Sequence, residues 1–542
     1  MQRPHPQSLT EHPMPANAKP VPSVLRAVTS LAGLRVLAVA AVAVSFFFGL
    51  GSVPLFDMDE GAFSAATLEM FQRHDFLSIF LAGEPRYDKP ILIHWLQAAG
   101  VALFGVNEWA FRLPSAIAAS VWMWLTYRFG REWLGERAGL LAAVMLACAP
   151  SVQIIARAAT ADALLNACLA AAMFASYRYL ARGDRASLYA AAAAIGLGFL
   201  AKGPIAILIP GAVTLLFCLA RRDFATWLRF ASDWRAWLVF ALIGLPWYAI
   251  EYFRDGPGFI QGFFLRHNLE RFSAPAFGHG GAWWFYVPII LVATLPFTVP
   301  LASVFGRVRE LFRDDLNAFL MLWFAFVIVL FSLSGSKLPH YANYGYTGLF
   351  LLMAARAMPM TSRAVLLPAL FAFGLFAALP FALEALGPRI GNPYLREVLS
   401  DPTGPFRPAY FGYFAAVTVL ALIWMVRPFV PAPAALAGAG TALALGLAIY
   451  VVPIAAALHQ NPVVAAARTA ASLDLHVVMW GINAPSFMVY SGRPVEMRAP
   501  RPCDVVLTRS GMLPELPKHE VIFREHAVAL VRLSCPQESP HG

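Results

Sequence analysis

Long apolar runs, each closed by arginine, proline or glycine, recur along almost the whole chain. They fall at about 31–55, 112–128, 138–153, 162–180, 187–201, 203–220, 236–252, 283–303, 316–334, 341–355, 364–385, 409–426 and 434–457. A helix needs roughly 20 apolar residues to cross the hydrocarbon core of a bilayer. The pattern therefore predicts a polytopic α-helical membrane protein with about thirteen transmembrane helices. One further run, Ile91 to Val106, contains His94 and Gln97 and is barely long enough to cross. If it spanned, every later loop would invert. If it lies along the interface, clusters such as Arg128, Arg131 and Arg137, or Arg307, Arg309 and Arg313, share the cytoplasmic side, as the positive-inside rule requires. An interfacial or re-entrant helix is the reading that keeps the rule.

That parity divides the chain into a disordered cytoplasmic leader over 1–30, a membrane domain over 31–457 and a periplasmic tail over 458–542. The tail differs in kind. Its stretches HVVMW, DVVLT and AVALVRL are short, valine-rich and strand-like, and predict a small α/β domain. Composition agrees with the hydropathy: 59% of the 542 residues are hydrophobic and 13% are charged, where a soluble domain carries about 25% charge. Arginines in cytoplasmic loops explain the net charge of +10 without nucleic-acid binding. None of the five cysteines has a metal-binding spacing. Cys503 and Cys535 either pair, if the tail is in an oxidising compartment, or stay free.

The polar residues that remain are gathered in outward loops. The first such loop carries Asp57, Asp59 and Glu60 just past the first span, followed by an amphipathic helix over Gly61–Phe71. Asp59 either caps that helix or acts as a base at the membrane surface. Asp88 and Lys89 precede Pro90, where an aspartate suits a cap and proline the first helical turn. Asp162 opens a span in the next outward loop and is again a natural cap. Lys202 lies in a tight turn, where a lysine either snorkels to headgroups or binds phosphate. His267 and Arg271 share a helical face at i and i+4. Lys337, His340 and Tyr341 sit where a span re-enters the bilayer, a common place for interfacial anchors. Acids and bases on one membrane face fit an interfacial enzyme acting on a phosphate-bearing lipid. The alternative is a lipid-linked-sugar flippase or transporter without chemistry, which would place charges near mid-span. A structural membrane subunit would not require the cluster at all.

The motifs DMDEGAF, YDKP, NEWAFRLPSA, TADALL, AKGP, a PWY…H…RF loop and SGSKLPHY occur in that order over about 40–360. In this they resemble the ArnT-like glycosyltransferases, bacterial relatives of the protein O-mannosyltransferases in the GT-C clan. The tail segment GINAPSFMVYSGRPV resembles them more weakly. The resemblance implies a GT-C fold and transfer of a sugar from a polyprenyl-phosphate donor to an acceptor such as lipid A, at the periplasmic face of the bacterial inner membrane. Carried over by motif, Asp59, Glu60 and Asp162 match catalytic acids. Lys89, Lys202, Arg271, Lys337 and Tyr341 match substrate-binding positions. Asp88 and His267 match positions linked to a divalent metal, most simply zinc. The chain departs from the family where Ala62 and Phe63 replace the usual Arg and Tyr, and where Asp88 replaces the usual Glu. The first departure leaves the sugar and the acceptor open, and the second, with its shorter reach, weakens the implied metal site.

Overall fold

The computed structural model describes residues 30–270, 281–399 and 406–535; the expected leader and Arg271 lie outside the described residues. Helices occupy each predicted apolar run. In the first half they are α1 (Leu31–Phe46), α2 (Asp59–Arg73), α3 (Leu92–Phe104), α4 (Glu108–Leu134), α5 (Glu136–Cys148), α6 (Pro150–Arg157), α7 (Asp162–Arg182), α8 (Arg185–Lys202) and α9 (Ile205–Ala220). Further apolar helices run over Asp315–Leu333, Asn343–Ala357, Leu367–Leu386, Pro408–Val426 and Ala432–Gly446. By length and composition, five helical segments among the described residues can cross a membrane singly, or seven if two sharply bent pairs each count as one span. The α5–α6 pair bends by 70° at Ala149–Pro150, where the missing proline N–H cannot continue the ladder. The chain is a multi-pass helical membrane protein.

Close helix approach in this bundle depends on small residues. Gly135, at φ +93°, turns α4 back into α5, and Gly130 then lies against Gly139. A Cβ on Gly139 would sit 2.6 Å from the Arg131 nitrogen and 2.7 Å from the Tyr127 oxygen. No side chain fits there without separating the two helices.

The run around 91–106 forms the 13-residue helix α3, about 20 Å long and short of the ~30 Å core. Its polar residues are inward-facing links. Thr67 of α2 lies 2.9 Å from His94 Nδ1 and donates to Gln97 Oε1 at 2.8 Å, while Gln97 Nε2 donates to the Ala159 carbonyl at 3.1 Å. Leu96, Leu103 and Phe104 stay exposed on the other side. Buried amide and imidazole groups need such partners, so the two residues that made this run atypical are the ones that attach it to α2 and to the α6–α7 loop.

Three expected caps are corrected. Helix α2 begins at Asp59 rather than Gly61, and its N-cap, Met58, makes no side-chain bond. Helix α3 is capped by Ile91, not Asp88, and α7 by Ala161, with Asp162 as its first residue. None of the three aspartate side chains is used as a helix cap. The segment Gln261–Glu270 winds as a wider π-helix, so the i, i+4 face expected for His267 does not apply there.

The valine-rich stretches of the tail form strands as expected. The sheet holds β1 (Val477–Met479), β2 (Glu496–Met497), β3 (Val505–Arg509), β4 (His519–Glu525) and β5 (Val528–Leu533) in the order β2-β1-β3-β5-β4. Here β1 is parallel to β2 and β3, and β5 is antiparallel to β3 and β4. Cys503 and Cys535 form a disulfide beside this sheet. A helix over Asn461–Ser472 covers it, and Ala65 of α2 belongs to the same apolar core as Val463, Ala467 and Phe487. The tail is thus packed directly on the first outward loop.

Candidate active site

The first outward loop is shaped by one buried ion pair. Arg112, four residues into α4, donates to Glu60 Oε1 and Oε2 at 2.8 and 2.7 Å. Its other donors reach the carbonyls of Leu50, Val53 and Pro54 at 2.7–2.9 Å. All five guanidinium N–H groups are thereby used. Glu60 also accepts from the Phe56 and Ala159 backbone amides at 2.8 Å. Both side chains are buried, and in a low-dielectric interior such a pair is tolerable only because its hydrogen bonds are complete. Glu60, expected as a catalytic acid, is committed to this knot.

Asp57 makes a second attachment. It accepts from Gln460 Nε2 at 3.0 Å, from the Ser486 amide at 2.8 Å and from Ser486 Oγ at 2.5 Å. Burial pushes its carboxyl up to about 6, against the lowering effect of the Ser486 and Gln460 hydrogen bonds. Gly61 allows the approach, since a Cβ there would lie 2.3 Å from Asp57 Oδ1 and 2.5 Å from the Ser486 nitrogen. Tyr490 adds a third link, accepting from the Leu55 amide and donating to Glu108.

Asp59 lies between these two anchored carboxylates. Among the described residues no hydrogen bond or ion pair engages it, and it is exposed to a cavity of about 540 Å³. Asp162, Arg112, Arg157, Thr160 and His340 line the same cavity, with Phe376, Leu447 and Val451 as an apolar wall. The two acids expected to converge from separate loops do so.

A second cavity, of about 380 Å³, is lined by Asp88, Lys89, Lys202, His267, Tyr341 and Tyr344 together with apolar residues such as Leu208 and Phe331. The two cavities are separated by one polar cluster. Lys202, the last residue of α8, pairs with Asp162 at 2.5 Å; Tyr344 donates to the same oxygen at 2.7 Å, and His340 stands 3.7 Å from it. The Lys202 ammonium also lies 5.7 and 5.4 Å from the Tyr341 and Tyr344 ring centres, within cation–π range. Burial lowers the His340 imidazole, the Asp162 carboxylate opposing and Lys202 assisting.

Asp88 is held by Arg86 in a fork at 2.6 and 3.1 Å, with Lys89 at 3.5 Å. Burial acts to raise it, but the Lys89 and Arg86 charges, aided by His267, keep its carboxyl well below the usual carboxylate range. Lys337 is placed differently from the others. It is buried, donates to the Ser334 carbonyl at 2.7 Å and lines neither cavity.

Sequence reasoning did not single out Arg112, Arg86, Gln460, Ser486 or Tyr344 as site residues. A signal existed for Arg112, an arginine at the edge of an apolar run, but it reads there as a span boundary. The others become visible only when distant segments meet.

The family model for dolichyl-phosphate-mannose-protein mannosyltransferases matches residues 88–249. An undecaprenyl phosphate-alpha-4-amino-4-deoxy-L-arabinose arabinosyl transferase of Pseudomonas fluorescens is 31% identical over 289 residues, covering 52% of this chain and 50% of that protein. The chain thus spans about half the length of that relative. An uncharacterized protein of Aquifex aeolicus is 31% identical over 307 residues, 56% of this chain and 69% of its own. The crystal structure of ArnT from Cupriavidus metallidurans bound to undecaprenyl phosphate superimposes with a TM-score of 0.77 at 20% identity, covering 94% of this chain and 100% of that one. Fold and sequence together define a GT-C membrane protein. The chain belongs to the ArnT-like glycosyltransferase family.

Two outcomes follow from the loop geometry. Glu60→Ala leaves the Arg112 guanidinium buried without its counter-charge and is expected to cost about 3–5 kcal/mol, read as a large fall in thermal midpoint in detergent; a midpoint within a degree of wild type would contradict the knot. Asp57, raised in the folded state above its ordinary 3.8, contributes stability that is present at low pH and lost as pH rises through about 6. Asp57→Asn should therefore gain on wild type between pH 4 and 7, and parallel stability curves would remove burial of Asp57 as the cause.

Proposed function

We propose that this protein is an integral membrane glycosyltransferase that moves a sugar from a polyprenyl-phosphate donor to a lipid or other periplasmic acceptor, of which lipid A is one candidate. The observation that carries the reading is the pairing of the two cavities. One presents an unengaged carboxylate, Asp59, beside an apolar wall; the other presents Lys89, Lys202 and Tyr341. The P. fluorescens relative is named for an undecaprenyl-phosphate sugar donor, and the C. metallidurans ArnT structure contains undecaprenyl phosphate, which supports the same donor class here.

In this reading Asp59 takes the proton of the acceptor hydroxyl as that oxygen attacks the anomeric carbon. The bond from the anomeric carbon to the phosphate oxygen breaks, and polyprenyl phosphate leaves with the electron pair. Lys89 and Lys202 meet the charge that grows on the phosphate oxygens, Lys202 being held in place by Asp162 and Tyr344. Asp162 positions rather than deprotonates, because its carboxylate is already shared among three partners. Tyr341 completes the donor side. The arginines at the opposite helix ends, among them Arg128, Arg131, Arg178 and Arg182, support a periplasmic side for the cavities under the positive-inside rule.

A flippase without chemistry is less well supported, since Asp162 opens α7 and Lys202 ends α8, at the membrane surface rather than at mid-span. For a divalent metal, Asp88 and His267 line the right cavity, but both Asp88 oxygens are taken by Arg86. No group of three or more potential ligands exists among the described residues. That donor set does not fit a resident ion, and no step is assigned to one.

Incubating the purified protein with polyprenyl-phosphate sugars and an acceptor glycolipid, and following release of the lipid phosphate, tests the reaction. Asp59→Asn is expected to lower turnover by about 10²–10⁴-fold with thermal stability unchanged; an active variant would refute the assigned role. Chelator treatment is expected to leave turnover within about twofold. Activity lost on chelation and restored by zinc would reinstate the metal at Asp88 and His267.

A further inference from the structure

At the end of the bundle remote from both cavities, helices α4, α7 and α8 enclose a polar pocket of about 620 Å³ lined by Arg128, Arg131, Arg178, Glu132, Trp124 and Phe174. Arg178 is sixteen residues along α7 from Asp162, or about 24 Å. Among the residues lining the pocket Glu132 is the carboxylate, and it pairs with Arg178 and with Arg182, each at 2.7 Å. Arg128 and Arg131 have no ion pair among the described residues and instead lie 5.1 and 5.7 Å from the Trp124 and Tyr127 rings. The pocket thus carries a surplus of positive charge on side chains already spread over aromatic faces.

The pocket continues into an apolar groove of about 450 Å³ along the same helices, sharing Leu125 and Ala171 with it, and α3 adds Leu96, Leu103 and Phe104 to the groove's lining. Ile117 and Val121 of α4, Leu164 of α7 and Leu197 of α8 form its walls, and small residues such as Ala167 and Ala171 keep it open. From Leu125 to Leu113 the groove follows α4 for about 18 Å, long enough to hold one acyl chain, which fills a leaflet ~15 Å deep. A basic pocket that opens into an apolar trough of that length is complementary in shape and charge to an anionic phospholipid.

We propose that this groove binds an anionic phospholipid of the leaflet at the arginine end, with the phosphate against Arg128, Arg131 and Arg178 and one acyl chain along α4, α7 and α8. Guanidinium groups pair with phosphate oxygens in a fork, and basic pockets between membrane helices hold anionic headgroups in this way. The site is separate from the donor cavity, which meets its surroundings at α9 and Asp315–Leu333 through Leu208 and Phe331.

The test uses the full chain, purified and stripped of lipid in detergent, titrated with phosphatidylglycerol, phosphatidylcholine or inorganic phosphate and read by native mass spectrometry and thermal shift. Wild type should bind phosphatidylglycerol in preference to phosphatidylcholine. Arg128→Gln/Arg131→Gln should weaken phosphatidylglycerol about 25-fold, each arginine contributing about fivefold at an anionic headgroup, with phosphatidylcholine binding unchanged. Ala171→Trp, which fills the trough and keeps every arginine, should weaken phosphatidylglycerol as well. Equal retention of the two lipids by wild type would overturn the proposal, as would inorganic phosphate competing at the lipid's own affinity. Indifference of the double variant would do so too, since those exposed arginines can be changed without disturbing the core.

Discussion

The buried pair between Glu60 and Arg112 holds the arrangement on which the rest depends. Arg112 gathers three carbonyls of the chain leaving α1, and Glu60 draws in the amide of Ala159 from the α6–α7 loop. Two outward loops, separated by about a hundred residues, are thereby fixed to one another at the membrane exit. Asp59 is the next residue to Glu60 and Asp162 stands three residues beyond Ala159, so the knot sets where both appear. A buried charge pair is an expensive way to join loops and contributes little net stability. Its use is directional: five donors in a rigid fork define a geometry that apolar contact would leave loose.

The carboxylates of the outward face consequently divide by how they are occupied. Asp57 is bound to the tail, Glu60 to Arg112, Asp88 to Arg86 and Asp162 to Lys202, while Asp59 opens onto a cavity. A carboxylate that is to act as a base must be free to accept a proton, and Asp59 is kept available because its neighbours on both sides are anchored. The Asp162–Lys202–Tyr344 cluster then serves both cavities at once. A cation held by a carboxylate at the boundary faces the space where a donor phosphate would lie, without being able to move away.

The tail takes part in this arrangement. Its helix over Ser486–Ser491 and Gln460 meet Asp57 directly, and the requirement for glycine at 61 shows how closely they approach. Ala65 is shared between α2 and the tail's core. Fixing the amphipathic helix from above by the tail and from below by α3 leaves the loop that carries Asp59 with support on two sides. The opposite end of the bundle uses its arginines differently, around a groove open to lipid.

The sequence by itself determined the helical membrane architecture, because roughly 20-residue apolar runs have few other stable forms, and hydrogen-bond saturation in lipid favours helices. It determined the strand-forming tail stretches, through valine content, and the motif order that carries the family. It also brought Asp59, Asp162, Lys89, Lys202 and Tyr341 forward, since ionisable residues at span ends are costly and few. Only the tertiary structure decided what each does. Asp59, Asp88 and Asp162 all read as helix caps from local pattern, and none is one: Asp162 is taken by Lys202 and Tyr344, 40 and 182 residues away, Asp88 by the neighbouring Arg86, and Asp59 opens onto a cavity. Glu60 and Asp59 are indistinguishable as neighbours in sequence. Arg112, a span boundary to hydropathy, turns one of them into a structural anchor and leaves the other free.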